Sequence, residues 1–273
     1  NDDEMIHAKT GNWFIENPQR GRSNNSVILL RDQVKKEQFE YLVKLNDGAN
    51  DIGFVFANSW FDMFNPCFEI LKIPVLDTVD FSKIAYEDVE SYVKNNKAKF
   101  GIQGCNLTEI NAEKATTKEK FLKACKDASI LGTLQAGFTD FHYLRDIWRQ
   151  TCSKDALLGI GMTGIGSGEI LKYNLDYAAN TAKTVNIMIS AMIGTNEAAR
   201  VTCIKPSGTT SCVLGTASGI HAWHNDFYLR TLRFGKNEDV AAYMMVNHAE
   251  LCEDDVLRPH DTLCVRIPIK APE

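Results

Sequence analysis

The chain has 273 residues, 44% of them hydrophobic, so it is long enough to bury a sizeable core. A net charge of −5 and an isoelectric point near 5.7 leave no basic surface for a nucleic-acid polymer, although single nucleotides remain allowed. No apolar run is long enough to span a membrane, so we expect no membrane partner. The eight cysteines lack repeated CxxC or CxxH spacing, which disfavours a zinc module or a dense disulfide framework and indicates a reducing cytoplasm.

The first part of the chain alternates short apolar runs with amphipathic ones. Residues 27–30 and 52–56 predict strands, and the spacing of apolar residues over 35–45 predicts an amphipathic helix. Residues 75–104 are polar and charged, with a helix predicted over 86–97.

Residues 64–69 place an amide, a thiol and a carboxyl at alternate positions, namely Asn65, Cys67 and Glu69. Alternate side chains of an extended backbone share one face, so these three groups would converge. Pro66 has no N–H for a sheet, which predicts an extended loop rather than a central strand. Buried polar groups need partners, and a substrate can supply them. By spacing alone, Cys67 is equally well a small buried apolar residue, and Glu69 a solvated acid.

The second part predicts alternating helices and strands. The spacing over 118–133 predicts a helix that continues to residue 149, and 174–200 predicts another long helix. Strands are predicted over 201–204, 228–234 and 263–269, with a helix over 240–251. Such alternation predicts a parallel sheet with helices outside it.

A glycine-rich run satisfies the GxGxxG pattern at Gly159, Gly161 and Gly164. A dinucleotide-binding fold needs a helix, a second strand and then an acidic residue roughly 20 residues on. One long helical stretch follows instead, so a glycine-rich turn leading into a helix is favoured. His221 and His224 have no third ligand at a convincing spacing, and no metal site is expected.

A hydroxyl-rich turn follows the strand predicted over 201–204. Free backbone N–H groups and hydroxyls at a helix start can bind phosphate, and plain helix capping by Ser207 or Thr209 is an equal alternative. The residues of this turn are Pro206, Ser207, Gly208, Thr209 and Thr210.

Asn-Pro-Cys-x-Glu at 65–69 resembles the active-site loop of the ribonucleotide reductases, and most resembles that of the adenosylcobalamin-dependent class. Four further segments occur in the order of that family: GFVFANSW at 53–60, GCNL at 104–107, LQAGFTDF at 134–141 and KPSGTTS at 205–211. The resemblance implies an α/β fold, a ten-stranded α/β barrel with the cysteine finger loop at its centre. The chain, 1–273, would be a single domain that supplies part of this barrel, with an insertion at 75–104.

The resemblance also implies the chemistry. Cys67 would carry a thiyl radical, Glu69 would act as base on the ribose 3′-hydroxyl, and Asn65 would hold the ribose hydroxyls. Cys105 would be one member of a redox-active pair whose partner lies ahead of this chain. Cys203 and Cys212 could in principle replace that partner, although core packing is favoured for both. The turn at 206–210 would bind the substrate phosphates.

The implied cofactor is adenosylcobalamin, and the implied reductant is an external dithiol such as thioredoxin. Both ends of the chain look internal, so we expect flanking segments or a complementary chain to complete the enzyme. Two alternatives stay open. One is a non-catalytic nucleotide-binding fragment, and the other is a cysteine hydrolase in which a histidine would activate Cys67.

Overall fold

A computed structural model describes the chain apart from residues 1, 24, 47–51, 63, 66–67, 70–72 and 272–273; the side chains of residues 2, 3 and 22 are also left aside. The chain divides into two compact units. The first comprises Asn1–Phe14 and Pro18–Ala222, and the second comprises Ile15–Asn17 and Trp223–Glu273. None of the helices described is long and apolar enough to cross a bilayer.

The described helices and strands alternate through most of the chain, as predicted. The α-helices are α1 (Asp2–Ile6), α2 (Trp13–Glu16), α3 (Lys36–Leu45), α4 (Val89–Asn95), α5 (Lys118–Ala136), α6 (Asp146–Asp155), α7 (Leu175–Ile193), α8 (Thr209–Leu214) and α9 (Asp239–Asn247). The strands are β1 (Asn25–Leu30), β2 (Ile52–Ala57), β3 (Asn106–Asn111), β4 (Leu158–Thr163), β5 (Phe227–Gly235), β6 (Cys252–Asp254) and β7 (Thr262–Lys270).

The strands of the first unit pair in parallel, as the alternating order predicts. β1 pairs with β2, and β3 pairs with β4. A third short segment continues the second sheet, because Thr202 bridges Ile160 in parallel and the Cys203 N–H donates to the Ile160 carbonyl at 3.0 Å. The mixed α/β class is thereby confirmed. The ten-stranded barrel is not shown, since the described strands form only small sheets.

Helices α5 and α7 cover one face of the sheet formed by β3 and β4. Ile110, Leu158 and Ile160 point toward these helices and share a buried cluster with Phe121 of α5. Phe121 is 1% exposed and stacks on Tyr173, with ring centroids 5.9 Å apart. Because side chains alternate along a strand, the residues between these apolar ones face the opposite side of the sheet.

Two predicted elements of the first unit are wrong in detail. The helix expected to run from 118 to 149 stops at Ala136, and α6 begins only at Asp146. Gly137 ends α5, and the threonine and aspartate that follow favour turns over helix. The glycine-rich run is also more than a turn, because Gly159 and Gly161 lie inside β4. Pairing with strands on both sides overrides the weak strand propensity of glycine.

The two ends of the segment 75–104 lie close together. Val75 bridges Phe100, and the Gly101 N–H donates to the Pro74 carbonyl at 2.8 Å. The predicted helix lies within it as α4. Ends that meet in this way suit an inserted segment, and the insertion stays a prediction.

The sheet of the second unit is antiparallel, in the order β5-β7-β6, so the expectation of parallel strands is wrong there. The short connection between β6 and β7 permits only an antiparallel pair, since a parallel crossover needs a dozen or more residues. Asp255 opens this connection and accepts hydrogen bonds from Arg233 Nε and from the N–H groups of Leu257 and Arg258. The bond from Arg233 is the main reason that the pKa of Asp255 falls to about 2.

Replacing Phe121 with alanine tests the α5–sheet core. We expect Phe121→Ala to lower the free energy of unfolding by about 3–5 kcal/mol, because it leaves a cavity in a packed site. The matched control is Leu131→Ala on the same helix, where the side chain is 57% exposed. Denaturant unfolding measures both; equal effects would contradict this account of the core.

Candidate active site

Two glycines on β4 form the floor of the candidate site. A Cβ atom at Gly159 would lie 2.5 Å from Leu107 Cδ2, 3.4 Å from Cys203 Sγ and 3.5 Å from Cys105 Sγ. A Cβ atom at Gly161 would lie 3.6 Å from Cys203 Sγ and 3.9 Å from Glu109 Oε1. The side chains of the neighbouring strands therefore lie over these two residues, called here the glycine floor. The GxGxxG run serves close approach of side chains rather than a dinucleotide.

The strand register explains which side chains meet over the glycine floor. Leu107 pairs with Gly159 and Glu109 with Gly161, so the odd-numbered residues of β3 share the floor's face. On the other side of β4, Cys203 follows the bridge between Thr202 and Ile160 and therefore faces the same way. The apolar even-numbered residues of β3 and β4 face α5 and α7 on the other side of the sheet.

Cys105 lies just before β3, and its thiol donates to Glu69 Oε1 at 3.7 Å. Burial, first, and then the nearby charge of Glu69 and the Cys203 thiol together raise the pKa of Cys105 to about 12, against the opposing effect of Lys205. The thiol of Cys203 is shifted in the same way. Burial, and after it the charge of Glu69, raise its pKa to about 11, whereas Lys205 acts to lower it. Both groups therefore keep their S–H bond at neutral pH.

Glu109 and Lys205 form an ion pair beside the thiols. Lys205 Nζ lies 3.6 Å from Glu109 Oε2, and the two side chains are only 11% and 6% exposed. Among the residues that the structure describes, the other oxygen of Glu109, Oε1, has no hydrogen-bond partner, and neither has Oε2 of Glu69. Two buried carboxylate oxygens of the site, one from each glutamate, are therefore available to accept a hydrogen bond from a ligand.

The predicted loop is described in part. Cys67 and Pro66 lie outside the described residues, so the convergence of Asn65, Cys67 and Glu69 stays a prediction. The expectation of a fully extended stretch is wrong, because the Phe68 N–H donates to the Asn65 carbonyl at 3.0 Å and Phe68 has a φ of 60°. A left-handed residue and a hydrogen bond across three residues belong to a turn.

Packing of the Phe68 ring holds this turn. The ring lies 5.1 Å from that of Phe64, centroid to centroid, and a Cβ atom at Gly53 of β2 would lie 3.2 Å from it. Glu69, the next residue, reaches Cys105. The structure thereby brings together two predicted site residues that are far apart in the sequence.

The predicted phosphate turn directly follows Cys203 and Lys205 in the chain. Ser207 is fully buried, and its Oγ has no hydrogen-bond partner within the described residues. Gly208 occupies the N-cap position of α8, and Ser211 Oγ donates to its carbonyl at 2.7 Å. Capping by Ser207 is therefore wrong. Pro206, Thr209 and Thr210 are exposed on the same turn.

Cys203 and Cys212 are not the core residues that were favoured. Cys203 faces the glycine floor, and Cys212 is exposed on α8. A direct disulfide between Cys203 and Cys105 does not fit the sheet. Strand β4 lies between them. Their Cα atoms are therefore separated by two strand spacings of about 4.8 Å each, or about 9.6 Å in all. A disulfide requires Cα atoms within about 7 Å.

A cavity of about 640 Å³ opens beside Cys105. Its other walls come from the end of α5 and the residues after it, which include Gln135, Phe138 and Phe141. The LQAGFTDF segment, noted in the sequence for its resemblance, therefore lies next to the thiol site. Within the part of the chain that the structure describes, no cluster of side chains could hold a metal ion.

Sequence reasoning gave no role to Glu109 or Lys205, favoured core packing for Cys203, and missed the role of the glycines. Cys203, Glu109 and Lys205 stand at alternate positions with Cys105 and Ser207, in Cys105-x-Leu107-x-Glu109 and Cys203-x-Lys205-x-Ser207. That period of two is the signal that could have found them.

No known family model matches the chain. A crystal structure titled as a B12-dependent, class II ribonucleotide reductase has a similar fold. Its TM-score is 0.61 at 19% identity, over 95% of this chain and 39% of that one. The fold of the chain is thus similar to that of one part of this crystal structure.

Curated relatives agree on the class. The adenosylcobalamin-dependent ribonucleoside-triphosphate reductase of Lactobacillus gasseri is 22% identical over 298 residues, which cover 92% of this chain and 39% of the relative. That of Levilactobacillus brevis is 24% identical over 200 residues, covering 61% and 26%. The chain spans about two fifths or less of the relatives it matches. At low identity, it resembles part of an adenosylcobalamin-dependent ribonucleotide reductase, which confirms the resemblance seen in its motifs.

Adding a methyl group to the glycine floor tests the close approach of the strands. We expect Gly159→Ala to lower the free energy of unfolding by about 1–3 kcal/mol, because its Cβ atom would overlap Leu107 and crowd both sulfurs. Gly104→Ala is the matched control, since the nearest atom to its Cβ, Cys152 Sγ, is 3.9 Å away. Thermal and denaturant unfolding measure both; a neutral Gly159→Ala would contradict the described packing.

Removing the charge of Glu69 tests its contribution to the raised pKa of the Cys105 thiol, beside that of burial. We expect Glu69→Gln to speed alkylation of Cys105 by iodoacetamide at pH 8, because each unit by which the pKa falls gives about tenfold more thiolate. In the unchanged protein the rate should climb through pH 10 without a plateau, since the pKa is about 12. Mass spectrometry of the Cys105 peptide measures the rate. Glu119→Gln, on α5, is the control and should change nothing.

Proposed function

We propose that the chain is the catalytic segment of an adenosylcobalamin-dependent ribonucleotide reductase. It would reduce ribonucleoside di- or triphosphates to 2′-deoxyribonucleotides, as part of a ten-stranded α/β barrel completed by flanking segments or a complementary chain. The observation that carries this proposal is the contact of the Glu69 carboxyl with the Cys105 thiol over the glycine floor. The names of the relatives support the reductase over the non-catalytic nucleotide-binding fragment and over the cysteine hydrolase.

The proposed reaction begins with a hydrogen atom. A thiyl radical on Cys67 takes hydrogen from the 3′ carbon of the ribose, after which the 2′-hydroxyl departs as water. Glu69 removes the proton of the 3′-hydroxyl, and Asn65 holds the ribose hydroxyls through its amide. Cys105 and a second thiol supply two electrons and two hydrogens, so one ribonucleotide and two thiols give one deoxyribonucleotide, one disulfide and one water.

The described chemistry suits these roles. A thiol with a pKa of about 12 keeps its hydrogen at neutral pH, which a hydrogen donor to a sugar radical requires. Glu69 Oε2 is buried and has no partner among the described residues, so it can accept the proton of a substrate hydroxyl. The second thiol is expected outside this chain, since strand spacing excludes a direct bond from Cys105 to Cys203.

The turn at 206–210 would hold the substrate phosphates. Pro206, Ser207, Gly208, Thr209 and Thr210 follow the strand segment that carries Cys203 and Lys205. The buried Ser207 Oγ and the backbone N–H groups at the start of α8 are donors of the kind that bind phosphate oxygens. The ribose would then lie between this turn and the thiols.

The cavity beside Cys105 fits part of the proposed cofactor. Its volume of about 640 Å³ and its aromatic side chains Phe138 and Phe141 suit the planar adenine ring of the adenosyl group, and Gln135 can bond to polar atoms. When bound, adenosylcobalamin supplies the radical that starts the reaction. A thioredoxin-like dithiol would re-reduce the disulfide. Free cysteines at all the described positions suit a reducing cytoplasm.

Serine at position 67 tests the proposal in the complete enzyme. We expect Cys67→Ser to abolish deoxyribonucleotide formation while nucleotide binding stays within about twofold, because the hydroxyl packs like the thiol but its O–H bond is too strong for the thiyl role. Product chromatography and equilibrium dialysis measure the two. Cys252→Ser, in the second unit, is the matched control and should keep full activity. Turnover in Cys67→Ser would refute the proposal.

A further inference from the structure

Glu109 is a buried carboxylate for which neither the motifs nor the reaction above provides a task. Its side chain is 6% exposed, and Lys205 binds only one of its two oxygens. The second oxygen, Oε1, is buried, and the described residues offer it no hydrogen-bond partner. It lies 3.9 Å from where a Cβ atom of Gly161 would stand, so it lies beside the glycine floor.

Such an arrangement is costly unless something binds there. Burial of an ion pair sacrifices the hydration of both charges, and a well-packed apolar pair of the same size is often as stable or more stable. An acceptor oxygen left open in the interior adds a further penalty of about 1–3 kcal/mol. A ligand that donates a hydrogen bond to Oε1 removes that penalty. An apolar ligand does not.

The position of the pair selects which part of a nucleotide meets it. Lys205 stands two residues before Ser207 of the phosphate turn, and two residues span at most about 7 Å of backbone. Cys203, which faces the floor, stands two residues before Lys205. The pair therefore lies between the thiols and the turn. A nucleotide with its phosphate at the turn and its reacting sugar at the thiols places its ribose over this point.

We propose that Glu109 is a substrate-binding residue whose Oε1 accepts a hydrogen bond from a ribose hydroxyl, and that Lys205 is the positioning residue that fixes it. This inference rests on the proposed function, because it takes the ligand to be a ribonucleotide. Glycine at position 161 lets the carboxylate lie close to the strand, since a Cβ atom there would stand 3.9 Å from Glu109 Oε1.

Nucleotide binding in the complete enzyme tests the inference without any need for turnover. Equilibrium dialysis compares a ribonucleotide with its 2′-deoxy and 3′-deoxy analogues. We expect Glu109→Gln to bind the ribonucleotide about tenfold less tightly, because a hydrogen bond to a charged acceptor becomes one to a neutral acceptor. The affinity for the analogue that lacks the bound hydroxyl should not change. Glu113→Gln, four residues further along the chain, is the control and should leave all three affinities unchanged.

A double variant guards against a trivial loss of folding. Glu109→Leu with Lys205→Met removes both charges together, so no buried charge remains unpaired. We expect it to fold, as circular dichroism and unfolding would verify, and to lose the same discrimination between ribonucleotide and deoxy analogue.

The outcomes separate the inference from the proposed function. Equal weakening of all three ligands would mean a merely structural role, and unchanged affinities would mean no contact; either overturns the inference while the proposed function stands. A loss seen with adenine but not hypoxanthine nucleotides would assign the donor to the base and overturn the ribose contact. If the unchanged enzyme binds no ribonucleotide, both fail.

Discussion

The absence of side chains at Gly159 and Gly161 is the constraint on which the candidate site depends. Parallel strands on both sides of β4 would normally bury a row of branched side chains between them. Here the row is missing on one face, and the neighbouring strands turn two thiols, a carboxylate and an ammonium group into the space. The opposite face of the same strand carries the apolar residues that pack on α5 and α7. One face of β4 thus packs in the apolar core, and the other face lies against the polar groups of the candidate site.

The charge balance of that space follows from the same geometry. Lys205 pairs with Glu109, the Cys105 thiol contacts Glu69, and one oxygen of each carboxyl group is buried. Burial and negative charge act in the same direction on a thiol, because both disfavour the thiolate. The resulting protonated thiols would be poor nucleophiles and good hydrogen donors. This distinguishes the site from that of a cysteine hydrolase, in which the thiol must ionise.

Many helices and strands could be predicted because they follow from the spacing of apolar residues close together in the sequence. The spacing of Phe121 and its neighbours marks α5, and the short apolar runs mark β1 and β2. The antiparallel sheet of the second unit could not be predicted from alternation, because connection lengths decide it. β4 was missed since glycine is rare in strands, and only pairing on both sides explains it. Phe68 was predicted to be extended because no sequence pattern indicates a phenylalanine with a left-handed backbone. Packing against the ring of Phe64 stabilises that conformation.

The residues of the site that could be predicted from the sequence are those that a family motif marks. Glu69 and Cys105 were identified from a resemblance, and the structure brings them together. No motif gave a role to Glu109 or to Lys205, which only opens the KPSGTTS segment, and their alternation resembles that of any half-buried strand. Their partnership arises only when separate strands come to lie side by side.

The protonated state of the two thiols has a consequence for chemical durability. Peroxide and related oxidants attack thiolates far faster than thiols, so sulfenic acid formation depends on the ionised fraction. With pKa values of about 12 and about 11, Cys105 and Cys203 expose almost none of that fraction at neutral pH. Thiols held protonated in this way are therefore slow to be damaged by oxidants.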